Sequence, residues 1–314
     1  MPIRVHQIET ASMHLPRWIP AFPIHPAAMA TWISAGQMLK LLLAVMKLSK
    51  KGEPTYVWLI EGADAGPILV DTGIPSIEIG NKWYSPSVKW KQTPGQRLEK
   101  ILPERTGIRI EDIQVIINTH IHFDHCGQNN LFKGKKIIAQ KKDLEVGKKH
   151  EKGFFGTHPF DVGYHTTTVG DAEFDEREGD FEICKGVRVI TTPGHTPGSQ
   201  TVLVDTDEGT VGLAGDVFYS SFSMPEKMLG EAGFKKFGLK PYRCHGKLIY
   251  EPHPHALRRI EEKRLYESEY FGYYVSPVFD SVEDLLKSFA RVDRECKIAL
   301  TSHNGATRDI KVVG

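Results

Sequence analysis

The chain is poor in cysteine, in net charge and in long apolar runs, and each shortage excludes a class of protein. Its four cysteines, Cys126, Cys184, Cys244 and Cys296, are scattered through 314 residues and form no Cys-x-x-Cys pair. That is too few for a disulfide framework, so a reducing, cytoplasmic compartment is the expectation. The 40 Lys and Arg residues face 39 Asp and Glu, for a formal net charge of +1. Such a balance offers no positive excess to a polyanion, and nucleic acid is not expected as a partner. The most apolar stretch, Met38 to Leu48, is interrupted by Lys40 and Lys47. It is too short and too charged to span a bilayer. The N-terminus shows no charged segment followed by an apolar one, so no signal peptide is expected. Internal repeats, low-complexity tracts and a linker-like composition shift are also missing. What remains, 40% hydrophobic and 25% charged residues, describes an ordinary globular chain long enough to bury a sizeable core.

One stretch departs from that plain background: residues 115–130, Val-Ile-Ile-Asn-Thr-His-Ile-His-Phe-Asp-His-Cys-Gly-Gln-Asn-Asn. Val115, Ile116 and Ile117 read as a buried strand. The strand ends in His120, His122, Asp124 and His125, four metal-capable side chains within six residues. Alternate residues of an extended segment point the same way, so His120 and His122 can face one ion. A bend at Phe123 lets Asp124 and His125 face a second. Cys126 adjoins them and is a further potential ligand. A small packing residue is the preferred reading there, because nitrogen and oxygen donors already suffice.

Along the chain, residues 3–14 read as a first strand, and 15–35 as an irregular segment. Residues 36–49 are strong helix formers with a broad apolar face, suited to core packing, a homodimer contact or the wall of an apolar substrate pocket. Residues 55–61 and 67–71 read as a hairpin. Asp71 at its end is either a turn former or a carboxylate that orients a metal-bound histidine. A helix is expected over 95–105, with Leu98, Ile101 and Leu102 on one face. Strand 112–119 then leads to a short helix at 129–133, strand 136–140 and a solvated helix at 141–150 whose charges need no functional explanation. Residues 151–175 show no period and carry aromatics suited to a loop over a site. Strands follow at 187–192, 201–205 and 210–213. Residues 221–250 read as irregular and 254–267 as a helix. A further helix starts near Asp280-Ser281 with a capping acid and an apolar face of Val282, Leu285, Leu286 and Phe289. A last strand spans 297–302.

Potential ligands recur at these strand ends: His120, His122, Asp124, His125, His195, Asp216 and His303. Imidazole and carboxylate suit zinc, and also iron, cobalt or manganese. Three nitrogens and a shared oxygen make a tetrahedral zinc site with an open position. Seven ligands suffice for two divalent ions if Asp216 and a hydroxide bridge them.

The residues at 120–125, the Pro-Gly-His-Thr-Pro-Gly loop at 193–198, Gly215-Asp216 and the strand-terminal His303 together resemble the metallo-β-lactamase superfamily. Within it the chain is most similar to N-acyl-homoserine lactone lactonases, the quorum-quenching enzymes. The similarity lies in Gly-Pro-Ile-Leu-Val-Asp-Thr-Gly at 66–73, His-Ile-His-Phe-Asp-His-Cys-Gly at 120–127 and Thr-Pro-Gly-His-Thr-Pro-Gly at 192–198. The resemblance implies an α/β fold, an αββα sandwich of two packed mixed β-sheets with helices on the outer faces. The chain reads as one such domain over residues 1–314, and it departs from the compact lactonases by an apolar insertion around 15–50 and a substrate-loop insertion around 221–278. The resemblance also implies a ligand split: His120, His122 and His195 on one ion, Asp124, His125 and His303 on the other, Asp216 between them. Tyr219 matches the tyrosine whose hydroxyl reaches the substrate carbonyl in those lactonases. Asn304 after His303 departs from the family, where an acid is common.

The expected function is therefore hydrolysis of a small lactone with an apolar portion, N-acyl-homoserine lactone first, by a metal-bridging hydroxide. Asp124 is expected as general acid and Tyr219 as oxyanion donor. Competing readings keep the fold and change the bond to another lactone, a thioester of the hydroxyacylglutathione type, an amide or a β-lactam. A non-catalytic binding protein is the reading from another class.

Overall fold

A computed structural model describes residues 2–14, 52–83, 89–149, 172–217, 243–244, 247–248, 281–303 and 310–314. The helices expected at 36–49 and 254–267, Tyr219, Asn304 and nearly all of both insertions lie outside the described residues.

The strands are β1 (Arg4–His14), β2 (Glu53–Glu61), β3 (Ile68–Val70), β4 (Lys89–Lys91), β5 (Val115–Ile117), β6 (Lys136–Gln140), β7 (Glu173–Arg177), β8 (Phe181–Cys184), β9 (Val187–Thr191), β10 (Gln200–Thr206), β11 (Gly209–Leu213), β12 (Arg243–Cys244), β13 (Lys247–Leu248), β14 (Ile298–Leu300) and β15 (Val312–Val313). The helices are α1 (Ile77–Trp83), α2 (Leu98–Thr106), the single turn α3 (Phe123–Cys126), α4 (Lys141–Lys149) and α5 (Val282–Glu295). One mixed sheet runs β15-β1-β2-β3-β5-β6-β7, with β4 also on β1, and a second runs β14-β11-β10-β9-β8.

Alternation along the strands sorts side chains between two layers. Tyr56, Trp58 and Ile60 of β2 and Ile68 and Val70 of β3 share one core with Val189, Val202, Val204, Val211, Leu213 and Leu300 of the second sheet. The intervening Val57, Leu59 and Leu69 face the other way, against Leu98, Ile101 and Leu102 of α2. On the second sheet α5 packs near β11 and buries Leu285, Phe289 and Val292. This is the expected sandwich of two mixed sheets with helices outside.

Strand direction decides where the chemistry lies. β3 and β5 pair in parallel, so Asp71 and the histidine turn leave the first sheet at the same edge. β9 is antiparallel to β10 and β10 to β11, while β11 and β14 are parallel. The C-terminal ends of β9, β11 and β14 therefore share an edge, and these carry His195, Asp216 and His303.

Several expectations are corrected. The strand read at 112–119 is shorter, because residues 110–112 form a 3-10 turn that ends on buried Ile113. The strand at 297–302 is not the last: β15 follows and pairs with β1, an edge contact too short to show periodicity. Residues 173–175, the end of the stretch read without period, belong to β7, which pairs with β6. The hairpin β12–β13 lies within 221–250, read as irregular. The cap of α5 is Ser281, whose Oγ accepts the Asp284 N–H at 3.2 Å.

Candidate metal centre

Seven side chains converge at the ends of β5, β9, β11 and β14. All are buried: His120, His122, Asp124, His125, His195, Asp216 and His303. They form three overlapping sets whose donor atoms lie within 4.8 Å of one another: His120–His122–His195, His120–His125–Asp216 and Asp124–His125–His303. In the first set His122 Nδ1 lies 3.0 Å from His120 Nε2 and 3.1 Å from His195 Nε2. In the last, His303 Nε2 lies 3.2 Å from Asp124 Oδ2. Asp216 stands between the sets. Its Oδ1 is 3.3 Å from His125 Nε2, and its Oδ2 is 3.4 Å from both His195 Nε2 and His303 Nε2.

Contacts behind the rings fix which nitrogen faces the centre. His125 Nδ1 donates to Asp71 Oδ2 at 2.8 Å, and His303 Nδ1 donates to the Pro54 carbonyl at 2.8 Å. Thr119 Oγ1 gives its hydrogen to Asp71 Oδ2 and lies 3.1 Å from His120 Nδ1, so it accepts from that ring. In all three histidines the contact behind the ring is made by Nδ1 and Nε2 is turned inward, the arrangement that orients a metal ligand. Asp71 thus takes the orienting role rather than that of a simple turn former. Cys126 is the packing residue expected: it is buried, and its thiol donates to the Ile121 carbonyl.

Electrostatics separates the two halves. Burial holds the His120 and His122 imidazoles well below the usual histidine range, and their histidine neighbours add to the effect. Burial pulls His125 the same way, but Asp216, Asp124 and Asp71 outweigh it and raise the ring well above that range. His303, also opposed by burial, is brought up to about 10 by Asp216 and Asp124. Burial raises the Asp216 carboxyl, but His303 and His125 hold it well below the usual carboxylate range. Three buried carboxylates therefore surround two imidazoles, and a buried anionic cluster requires cationic charge. His125 Nε2 and Asp216 Oδ1 are buried and face each other at 3.3 Å outside hydrogen-bond geometry. Such donors, with the neutral His120–His122 pair beside them, fit divalent ions that accept nitrogen and oxygen ligands.

Asp143 carries no sequence signal of a role at the centre. Residues 141–150 read as a solvated helix, yet Asp143 is fully buried. Its Oδ2 accepts the Ile121 N–H at 3.1 Å and its Oδ1 the Gly198 N–H at 2.7 Å. An acid in a helix's first turn reads as a helix-end charge, and no local signal distinguishes it from a brace between distant loops. The Pro54 carbonyl behind His303 was equally invisible, since any residue supplies a carbonyl.

Comparison with known proteins agrees with this geometry. The metallo-beta-lactamase superfamily profile matches residues 51–227. A protein of a Bacillus species named N-acyl homoserine lactonase is 34% identical over 188 residues, covering 58% of this chain and 70% of its own length. One from Bacillus cereus with the same name is 31% identical over 182 residues, covering 56% and 68%. A solved N-acyl homoserine lactone hydrolase, with N-hexanoyl-L-homoserine at its catalytic metal centre, aligns over 97% of this chain and 94% of that one. Its TM-score is 0.57 at 22% identity, a likeness of fold. With a profile covering more than half its length and the donors of a metal centre at its strand ends, the chain belongs to the metallo-beta-lactamase superfamily and is a metal-dependent hydrolase.

Proposed function

We propose that this chain opens the ring of N-acyl homoserine lactones to the acyl homoserine, a quorum-quenching reaction, using two divalent ions, zinc first among them. The observation that carries the two-ion reading is the placement of Asp216, with one oxygen toward His125 and the other 3.4 Å from both His195 and His303. The substrate reading is supported by the lactonase relatives at 31–34% identity. His120, His122 and His195 would hold one ion, Asp124, His125 and His303 the other, and Asp216 would be shared. Bound there, the ions supply Lewis acidity toward a carbonyl and hydroxide at neutral pH.

The remaining work falls to the chain's own side chains. Asp124 is the more open of the two central carboxylates, its side chain 10% exposed against 3% for Asp216. That greater exposure supports Asp124 as the group that would take the proton of the attacking hydroxide and pass it to the alkoxide leaving the opened ring. Tyr219, outside the described residues, would donate a hydrogen bond to the carbonyl oxygen as charge develops on it. The apolar stretch at 36–49 and the aromatic stretches at 151–175 and 221–250 would wall the acyl chain.

The test offers metal-loaded protein N-hexanoyl homoserine lactone, an unrelated lactone, a thioester and a β-lactam, and reads proton release. Preferential turnover of the acyl homoserine lactone supports the proposal. Inert lactones beside a hydrolysed thioester or β-lactam contradict it.

A further inference from the structure

We propose that Asp143 is a positioning residue for the three-histidine half of the centre, its carboxylate tying the turn that carries His120 and His122 to the loop that carries His195. The inference rests on the reading that these three histidines hold an ion. Its geometry is specific. Oδ2 accepts the backbone N–H of Ile121, the residue between the two histidines, at 3.1 Å. Oδ1 accepts the N–H of Gly198, three residues beyond His195, at 2.7 Å. One buried carboxylate thus sets the spacing of two ligand-bearing segments that are distant in sequence and meet at His122 and His195.

Both partners are built to meet it. The Ile121 backbone is held at both ends, its N–H by Asp143 and its carbonyl by the Cys126 thiol. Its side chain packs with Cys126, Ala139 and Leu144, the last from α4 beside Asp143. On the other side, a Cβ at residue 198 would lie 2.6 Å from the Asp143 backbone nitrogen and 2.8 Å from its Oδ1. Only glycine lets the His195 loop come this close. A carboxylate is acceptor-only on both oxygens, so it suits two converging N–H donors, and its charge strengthens both bonds. The other half of the centre is oriented separately, His125 by Asp71 and His303 by the Pro54 carbonyl. Loss of the Asp143 brace therefore acts on one half.

The experiment titrates zinc(II) into chelator-stripped full-length protein against a chromophoric competitor, comparing the unaltered chain, Asp143→Asn and Asp143→Glu. In Asp143→Asn an amide NH₂ replaces one acceptor and faces an N–H. One of two zinc-binding steps is expected to weaken by about 10- to 100-fold, the usual consequence of losing an orienting partner, and the other to hold within about twofold. Asp143→Glu keeps both acceptors on a longer arm and weakens the same step less. Near-UV circular dichroism checks folding, and where the Asn variant does not reach the native spectrum the Glu variant decides. Both steps unchanged, or both weakened alike as general loosening would do, overturns the role of Asp143. Unaltered protein that takes up no zinc overturns the metal reading and the Asp143 role together.

Discussion

Asp71 shows how much one side chain is asked to do at this centre. Its backbone is left-handed, φ 62°, the one described non-glycine residue with positive φ. That conformation costs about 1–2 kcal/mol for an L-residue, less for Asp than for most. In return the carboxylate accepts the Thr119 N–H at 2.7 Å, the Thr119 hydroxyl at 2.8 Å and the His125 ring at 2.8 Å. Replacing it by Asn puts a donor where these donors converge. Asp71→Asn is expected to lower zinc affinity by roughly 10- to 100-fold, read by competition titration; unchanged affinity would remove Asp71 from the centre. Tyr219→Phe is expected to lower turnover by roughly 10²–10³-fold while metal content stays level, a split that steady-state kinetics and metal analysis resolve. At this scale the ligands were legible because chemistry names them. Asp143 was not, because Lys141, Lys142 and Glu145 around it read as a solvated face and its partners lie 22 and 55 residues away.

Among the elements, α5 is the support of the His195 loop. The Ser281 N–H donates to the Gly194 carbonyl at 3.0 Å, Ser288 Oγ donates to the Pro193 carbonyl at 2.7 Å and Arg291 to the Thr191 carbonyl at 2.9 Å. Gly194 has φ 133°, and a Cβ there would lie 2.3 Å from the Leu285 backbone nitrogen. Ser281→Ala removes the helix cap and is expected to cost about 1 kcal/mol in denaturant unfolding. Gly194→Ala is expected to cost more and to weaken metal uptake, since it drives the loop from its support; equal loss in the two variants would contradict that link. Leu285 and Phe289 on the apolar face of α5 were readable from period alone, as were β1, β6 and β9 to β11. The single turn α3 appeared only as a bend at Phe123. Strands β4 and β15, of three and two residues, were not readable, since their pairing to β1 is a tertiary fact.

For the whole molecule, strand direction is the organising fact. Donors more than half the chain apart, from His120 to His303, meet because β9, β11 and β14 run the same way and β3 runs with β5. The order of motifs was visible in the sequence and made the sandwich expected, but the register that brings Asp216 between the two halves was not. Among the described residues, no helix is long and apolar enough to cross a membrane. Because ions would neutralise buried carboxylates only in the folded chain, bound metal is expected to stabilise it, by about 4 kcal/mol at a thousandfold excess over Kd. Stripped protein should therefore melt below the zinc-loaded form, and identical melting curves would argue against bound ions at the centre. The most direct measurement adds zinc stepwise to stripped protein while hydrolysis of N-hexanoyl homoserine lactone is followed in the same sample. Activity that climbs to its maximum at two ions per chain is the expected result. A maximum reached with one ion, or turnover indifferent to zinc, would contradict the proposed two-ion lactonase.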